Sequence, residues 1–154
     1  MDDLGFQMFK LTNAGYCCSQ IMMKMALDAE EKENPDLLRA VNGLCMGIGS
    51  TQKTCGVLTG GIAVLGLYAG KGMDTEYPKP GFSDMVDEFT DWFRTEFCST
   101  QCQDIIGVCT VTDYASNQEY RLKCGDILMK SYQKIQEILL EKGFEFGSRD
   151  SFDL

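Results

Sequence analysis

Eight cysteines and no histidine define the side-chain chemistry open to this chain of 154 residues. Four of the cysteines stand where the pattern of apolar residues predicts that a helix begins: Cys18, Cys55, Cys102 and Cys124. A helix N-terminus carries partial positive charge and N–H groups without an intrahelical partner, and both favour a thiolate over a thiol. Thiolate is the form of cysteine that binds a metal or attacks a disulfide. The four positions are therefore candidate ligands of one site.

Convergence of four such helix N-termini would suit an iron–sulfur cluster held by thiolates. The positive ends of the helices would offset its negative charge, and amide hydrogen bonds to sulfur would tune its potential. The spacing of the cysteines gives this hypothesis little support, because structural zinc sites and ferredoxin clusters use local Cys-x-x-Cys pairs. The simpler alternative is four buried cysteines that cap or pack independently. The sequence pattern leaves both alternatives open.

The absence of histidine and the acidic composition exclude several functions. A Ser-His-Asp triad, a Cys-His nucleophile pair and His-ligated zinc or haem all require histidine. The formal net charge of -9 makes nucleic acid and anionic membrane surfaces poor partners. Residues 1–5 contain neither a basic nor an apolar segment, so we expect no signal peptide and a cytoplasmic location. In a reducing compartment, eight cysteines are not expected to form four structural disulfides.

The other four cysteines allow more than one interpretation. Cys17 is adjacent to Cys18 and could replace it as a ligand, and Cys45 lies in a glycine-rich loop that could approach the site. Cys98 lies four residues before a candidate ligand, which would place both on one helix face if the helix continued through them. The simplest interpretation of all four is a small buried side chain, and we favour it for Cys109.

The element expected at the centre of the fold is a helix over residues 55–70. This segment contains no charged residue, and Gly60, Gly61 and Gly66 would let neighbouring helices approach closely. It is shorter than the roughly 20 residues needed to cross a bilayer. We therefore interpret it as the buried central helix of a bundle.

Amphipathic helices are predicted around this centre. Asn34 as N-cap and Pro35 in the first turn introduce one of them. The whole chain, residues 1–154, is expected to form an all-α, single-domain bundle of about five to six helices, with residues 145–154 as a loosely held tail. The apolar repeats place the surrounding helices at residues 2–11, from about 19 to the acidic run at 30–33, 36–41, 82–97 and about 123–142.

A glycine-rich loop, residues 43–51, precedes the central helix. It is only weakly similar to a phosphate-binding loop, because no strand precedes it and the Gly-Lys-Ser/Thr ending is absent. We expect its backbone to pack closely against the pocket in which the four sulfurs meet. The candidate cofactor-binding positions are therefore glycines of this loop and of the helix start: Gly43, Gly47, Gly49 and Gly56.

Several short segments of the chain occur in the order found in one known family. The ordered set resembles the C_GCAxxG_C_C family of redox-active proteins over about residues 4–142. One departure is Val57, where the family motif usually has alanine; it adds bulk beside the site and changes no ligand. The matching segments are residues 15–20 (Gly-Tyr-Cys-Cys-Ser-Gln), the loop 43–49, residues 55–60 (Cys-Gly-Val-Leu-Thr-Gly), residues 100–107 and Cys124.

The resemblance implies a helical fold with four shared cysteines, which correspond to the four candidate ligands. A similar module occurs in split-Soret cytochromes, where an iron–sulfur cluster accompanies haem. This chain has no haem attachment site, so only the cluster could carry over. We therefore expect a redox protein with a cysteine-ligated iron–sulfur cluster, of the 2Fe–2S or 4Fe–4S type, that transfers electrons or senses redox state.

Two alternative functions remain open at this stage. One is a metal-free thiol–disulfide oxidoreductase with a low-pKa cysteine and a resolving partner. The sequence contains no Cys-x-x-Cys pair, and a ring closed between the adjacent Cys17 and Cys18 would be strained. The other is a structural module in which four cysteines bind a metal such as zinc. The expected partner is a redox protein of unidentified kind, without a role for nucleic acid or membrane, and a homodimer is left open.

Overall fold

The computed structural model describes residues 3–106 and 118–149, and helices dominate both ranges. An isolated antiparallel bridge joins Thr54 to Gln101. The predicted all-α, single-domain fold is confirmed. The helices outnumber the expected five to six because two are single turns, too short to show an apolar repeat. They are α1 Asp3–Asn13, α2 Cys18–Ala29, α3 Pro35–Asn42, α4 Cys45–Ile48, α5 Gly56–Ala69, α6 Phe82–Phe97, α7 Cys102–Ile106 and α8 Gln118–Glu141.

The core is organised around the contact between α2 and α5. The uncharged segment forms α5, as predicted, and packs against α2, α6 and α8. Helix α2 shares the central position, because Met22, Met23 and Met25 are fully buried and fill the core with flexible thioether side chains. Neither α5 nor another helix in the described ranges combines the length and apolar character needed to span a bilayer.

Glycines permit the close approach of the helices around α5. A Cβ atom placed on Gly60 would lie 2.9 Å from both the Cα and the carbonyl oxygen of Ser19 on α2. A Cβ atom on Gly61 would lie 2.6 Å from Cε2 of Phe89 on α6. Atoms in proteins do not approach this closely without a bond, so side chains at these positions would push the helices apart.

Helix α3 begins as the sequence predicts, and its C-terminal end lies beside the start of α2. The side-chain oxygen of Asn34 accepts a hydrogen bond of 3.1 Å from the backbone N–H of Leu37, and Pro35 occupies the first turn. At the other end of α3, the carbonyl oxygen of Val41 accepts a 2.7 Å hydrogen bond from the Ser19 hydroxyl. Helix α3 is thereby fixed beside the first turn of α2.

The chain beyond α8 folds back onto the core. The backbone N–H of Gly147 donates a 2.7 Å hydrogen bond to Tyr68 Oη, and Arg149 Nε donates to the carboxylate of Glu30. The Glu30 side chain is only 1% exposed, so the guanidinium compensates a buried charge. Residues 145–149, which we expected to be loosely held, are fixed by these contacts, and the rest of the expected tail lies outside the described residues.

We expect Gly60→Ala to lower the free energy of unfolding by about 1–3 kcal/mol, because the added methyl group forces α2 away from α5. Gly66→Ala in the same helix is the matched control. The nearest atom to a Cβ there is Phe82 Cζ at 4.0 Å. The control should raise the free energy of unfolding by up to about 1 kcal/mol through better helix propensity. Urea unfolding followed by circular dichroism measures both, and equal effects would contradict the close approach.

Arg149→Ala should destabilise the fold by about 1–3 kcal/mol, because it leaves the Glu30 carboxylate buried without its cation. The comparison variant is Arg39→Ala, which breaks an ion pair with Asp36 whose side chains are 76% and 96% exposed. That change should cost no more than about 0.5 kcal/mol. If thermal or urea unfolding shows no difference between the variants, the tail contact contributes nothing to stability.

Candidate redox centre

Three of the four predicted ligands stand at helix starts, as predicted. Cys18 is the first residue of α2, Cys102 is the first residue of α7, and Cys55 is the N-cap of α5. The prediction is wrong for Cys124, which lies inside α8, six residues after its beginning at Gln118. The polar segment before Cys124 consists mostly of good helix formers, so the helix starts earlier than the apolar repeat indicates. Cys124 is buried, and α8 contacts α7.

The antiparallel bridge between Thr54 and Gln101 brings the starts of α5 and α7 together. Across it, the backbone N–H of Cys55 donates a 2.8 Å hydrogen bond to the carbonyl of Thr100, and the backbone N–H of Cys102 donates a 2.6 Å hydrogen bond to the carbonyl of Lys53. Successive side chains of extended backbone point to opposite faces. Cys55 and Cys102, which each follow a member of the bridging pair, therefore share a face.

Gly56 brings Cys18 into the same group. A Cβ atom on Gly56 would lie 2.5 Å from Cys18 Sγ and 3.0 Å from the carbonyl oxygen of Leu44, so the start of α5 lies directly against the thiol. The sulfurs are also close enough to interact electrostatically, because negative charge on Cys18 or Cys102 adds to the effect of burial in raising the pKa of Cys55. The structure thus brings together Cys18, Cys55 and Cys102.

Burial controls the protonation of these thiols. Burial raises the pKa of Cys55 to about 12, with a further contribution from Cys18, against the first N–H groups of α5, which lower it. The pKa of Cys18 is likewise raised by burial, against backbone N–H groups of Met46 and Ser19, which lower it. The backbone N–H groups at the helix starts lower the pKa of both thiols, as expected. The net pKa is nevertheless raised, so the expected thiolate is not favoured, because desolvation of the charged form is the larger effect.

The thiols do not form a ready-made ligand cage. Within residues 3–106 and 118–149, no group of three or more cysteine or carboxylate side chains is arranged to hold a metal ion. Metal–thiolate bonds are about 2.3 Å long, so the side chains must reorient for a metal to bind. The donor set nevertheless fits an iron–sulfur cluster in chemical kind, because Cys18, Cys55 and Cys102 are buried sulfur donors close enough to influence one another electrostatically.

The four candidate cofactor-binding glycines have different surroundings. Gly56 lies against Cys18, as described above. Gly47 is buried, and a Cβ atom there would lie 2.6 Å from the backbone nitrogen of Lys53. Gly43 and Gly49 are exposed, with open space where a Cβ atom would be. Two of the four glycines therefore allow close backbone packing around the site.

A left-handed turn positions the amide that faces Cys18. Met46, Gly47, Ile48 and Gly49 all have positive φ, at 58°, 70°, 65° and 65°. Only glycine adopts this region without strain, so Met46 and Ile48 are held there by their surroundings. The carbonyl of Gly47 accepts hydrogen bonds from the backbone of Lys53 and the hydroxyl of Thr51. These bonds hold the turn in place, with the N–H of Met46 directed at Cys18.

Residues 16–138 match the protein-family model described as "Putative redox-active protein (C_GCAxxG_C_C)". The chain belongs to this C_GCAxxG_C_C family. The matched segment is well over half of the chain and contains all eight cysteines, so the resemblance suggested by the motifs is confirmed. No curated protein and no solved structure matches the chain.

This C_GCAxxG_C_C protein also contains a disulfide that its sequence motifs do not predict. Cys17, the N-cap of α2, is joined to Cys45, the first residue of α4, with their Cα atoms 6.0 Å apart. A pair separated by 28 residues leaves no local pattern in the sequence. The available hint was that the loop containing Cys45 was expected to approach the site. While the disulfide is closed, Cys17 cannot replace Cys18 as a ligand.

The two remaining cysteines of this family member lie apart from the group. Cys98 is exposed and ends α6 in a left-handed conformation, with φ of 65°. The helix therefore does not continue to Cys102, and the hypothesis that these two share a helix face is wrong. Cys109, which we interpreted as a buried side chain, lies outside the residues that the structure describes.

Alkylation rates should separate these classes of cysteine. In metal-free, natively folded protein at pH 8, we expect iodoacetamide to modify Cys98 first. Cys55 should react more than about a hundredfold slower, because its raised pKa keeps it protonated and burial excludes the reagent. Peptide mass spectrometry of quenched samples gives the rate at each residue. Similar rates at Cys98 and Cys55 would show that the site is open to solvent.

Proposed function

We propose that this member of the C_GCAxxG_C_C family is a redox protein in which Cys18, Cys55, Cys102 and Cys124 hold an iron–sulfur cluster. Three of these buried cysteines each stand at the start of a different helix. The observation that carries the proposal is their proximity: the start of α5 lies against the sulfur of Cys18, and the three thiols influence one another electrostatically. When bound, the cluster supplies reversible one-electron transfer, for electron transport or redox sensing. A cytoplasmic location belongs to the same proposal.

The backbone around the thiols supplies what a sulfur ligand requires. Once deprotonated, the sulfur of Cys18 accepts hydrogen bonds from the N–H groups of Met46 and Ser19. The sulfur of Cys55 accepts from Val57 and from the residue after it. Such amide donors offset the negative charge of the ligands and are among the determinants of a cluster's potential. The helix starts thus favour thiolates that a metal has already deprotonated.

Burial argues against the metal-free alternative at these four positions. A thiol–disulfide oxidoreductase needs a cysteine that is accessible and readily deprotonated. Cys18 and Cys55 are buried and have raised pKa values, so neither suits an attacking nucleophile. A metal ion binds by displacing the proton, and burial then protects the complex from water.

The structural-metal alternative uses the same ligands and differs in the metal itself. Zinc would give a colourless protein without redox activity, whereas an iron–sulfur cluster absorbs visible light and bleaches on reduction. Anaerobic purification, an absorption spectrum and analysis of iron, zinc and sulfide separate the two. We expect iron and sulfide together. Zinc alone would support the structural module, and metal-free protein after attempted reconstitution would contradict both.

The proposed redox partner is recognised through charge. The chain has 23 acidic and 14 basic residues, for a formal net charge of -9. A partner that presents a positive face would be attracted over a distance set by the ionic strength. The association rate with such a partner should therefore fall as salt is added.

Cys55→Ser and Cys124→Ser should each lose most or all of the bound iron and sulfide, because a serine oxygen is a poor substitute for thiolate. Cys98→Ser is the matched control, since Cys98 is exposed and outside the group, and it should retain the parent's content. Each variant is purified anaerobically beside the parent and assayed for iron and sulfide. Equal loss in Cys98→Ser and Cys55→Ser would mean that the ligands are misassigned.

A further inference from the structure

We propose that Cys17 and Cys45 form a second redox site, a reversible disulfide that exchanges two electrons with a dithiol reductant attacking at Cys17. The proposal goes beyond the cluster and does not rest on it, because neither cysteine belongs to the proposed ligand set. It stands on the surroundings of the two sulfurs, which suit thiols as well as a disulfide.

The sulfur of Cys17 is surrounded by hydrogen-bond acceptors. Oε1 of Gln20 and Oδ1 of Asn42 each lie 3.5 Å from it, and the carbonyl oxygen of Asn42 lies 3.9 Å away. A disulfide sulfur carries no hydrogen and cannot donate to these oxygens, whereas a thiol can. Oε1 of Gln20 also accepts a 3.3 Å hydrogen bond from the backbone N–H of Cys17, which is available in both redox states. The two oxygens of Asn42 can accept from the Cys17 sulfur only when the pair is reduced.

The sulfur of Cys45 has a partner that accommodates both states. Oγ of Ser19 lies 2.9 Å from it, and the same hydroxyl donates a 2.7 Å hydrogen bond to the carbonyl of Val41. In the reduced state, the Cys45 thiol can donate to Ser19 while Ser19 donates to Val41. In the oxidised state, Ser19 keeps its bond to Val41. Although Ser19 is fully buried, neither state leaves its proton or the Cys45 thiol proton unsatisfied.

Exposure decides which sulfur is attacked. Cys45 is buried, at 7% exposure, while Cys17 is only partly buried and lies beside the exposed Asn42. A reductant can therefore reach Cys17 from solvent, with Cys45 as the leaving sulfur. The buried side of the bond faces Ser19, which can hydrogen-bond to the sulfur that is released.

The exchange balances with one dithiol as co-reactant. A thiolate of the dithiol attacks Cys17 Sγ, the bond between Cys17 and Cys45 breaks, and the Cys45 sulfur leaves with the electron pair and takes up a proton. The second thiol of the reductant then attacks the mixed disulfide and releases Cys17 as a thiol. The protein gains two electrons and two protons, and the dithiol becomes a disulfide. The reverse sequence oxidises the pair.

A redox titration of the full-length chain tests the proposal. The protein is equilibrated in buffers of varied ratio of reduced to oxidised dithiothreitol, quenched in acid, and alkylated differentially for peptide mass spectrometry. We expect Cys17 and Cys45 to become reduced together at one ratio, while circular dichroism shows that the fold persists. Reduction that occurs only in denaturant, or free thiols in the most oxidising buffer, would overturn the proposal. Cys17→Ser should leave Cys45 as a thiol throughout.

Ser19→Ala tests the chemical basis of the site. It removes the acceptor of the Cys45 thiol, while the loss of a donor to Val41 affects both redox states and cancels. About threefold to tenfold more reduced dithiothreitol should then be needed for half-reduction, as expected for one hydrogen bond. The matched control is Ser131→Ala, at a buried serine on α8 whose hydroxyl has no partner among the described residues. The same midpoint in Ser19→Ala and the parent would show that the Ser19 hydroxyl does not stabilise the reduced pair, and would contradict the proposal.

The outcome is independent of the cluster proposal. The titration follows only peptides that contain Cys17 and Cys45, and iron and sulfide are assayed on the same preparations. Loss of the midpoint with normal iron content would overturn the second site alone. Protein without iron that still titrates at Cys17 and Cys45 would overturn the cluster alone.

Discussion

Helices α2 and α5 can lie side by side because Gly60 has no side chain, and the positions of the candidate redox groups follow from that contact. Gly60 lies against the backbone of Ser19, which immediately follows Cys18. One turn earlier in α5, Gly56 lies against the sulfur of Cys18 itself. Because a helix is rigid along its length, these two contacts fix the register of both helix starts. The approach of Cys18 to Cys55 is therefore a consequence of how the core packs.

The same packing creates opposing effects on the thiols. Helix starts direct N–H groups at Cys18 and Cys55, which favours negative charge on sulfur. Close packing removes water, which disfavours that charge, and removal of water has the larger effect. The amide donors are therefore not fully used while the sulfurs are protonated. A bound metal ion would make burial and the amide donors compatible, because its positive charge stabilises the thiolates in place of the excluded water.

The sequence predicts the parts of this site that depend on local pattern. The apolar repeats and the cap at Asn34 are local, and they predict the helices and the helix starts at Cys18, Cys55 and Cys102. Helix α8 begins earlier than the apolar repeat predicts, because the residues before Cys124 favour a helix by propensity and not by apolar spacing. The meeting of α5 with α7 depends on backbone hydrogen bonds between segments about fifty residues apart, which leave no periodic pattern.

The left-handed turn after Cys45 escapes sequence analysis for a similar reason. Glycines at 47 and 49 indicate unusual backbone, but Met46 and Ile48 adopt positive φ only because contacts elsewhere hold them. That strain costs roughly 1–3 kcal/mol for each of the two residues. The contacts that hold the turn come from the backbone of Lys53 and the hydroxyl of Thr51 on one side, and from the link to Cys17 on the other.

The stabilisation that the disulfide between Cys17 and Cys45 gives the fold is comparable in size to the cost of the strained turn that follows Cys45. In the chain-entropy account, a disulfide spanning 28 residues stabilises the fold by about 3–4 kcal/mol. That stabilisation can offset much of the cost of holding Met46 and Ile48 in the left-handed region. The residue after Cys45 is Met46, whose N–H is directed at Cys18, and the residue after Cys17 is Cys18 itself. The paired cysteines and a proposed ligand are therefore neighbours along the backbone on both sides of the link.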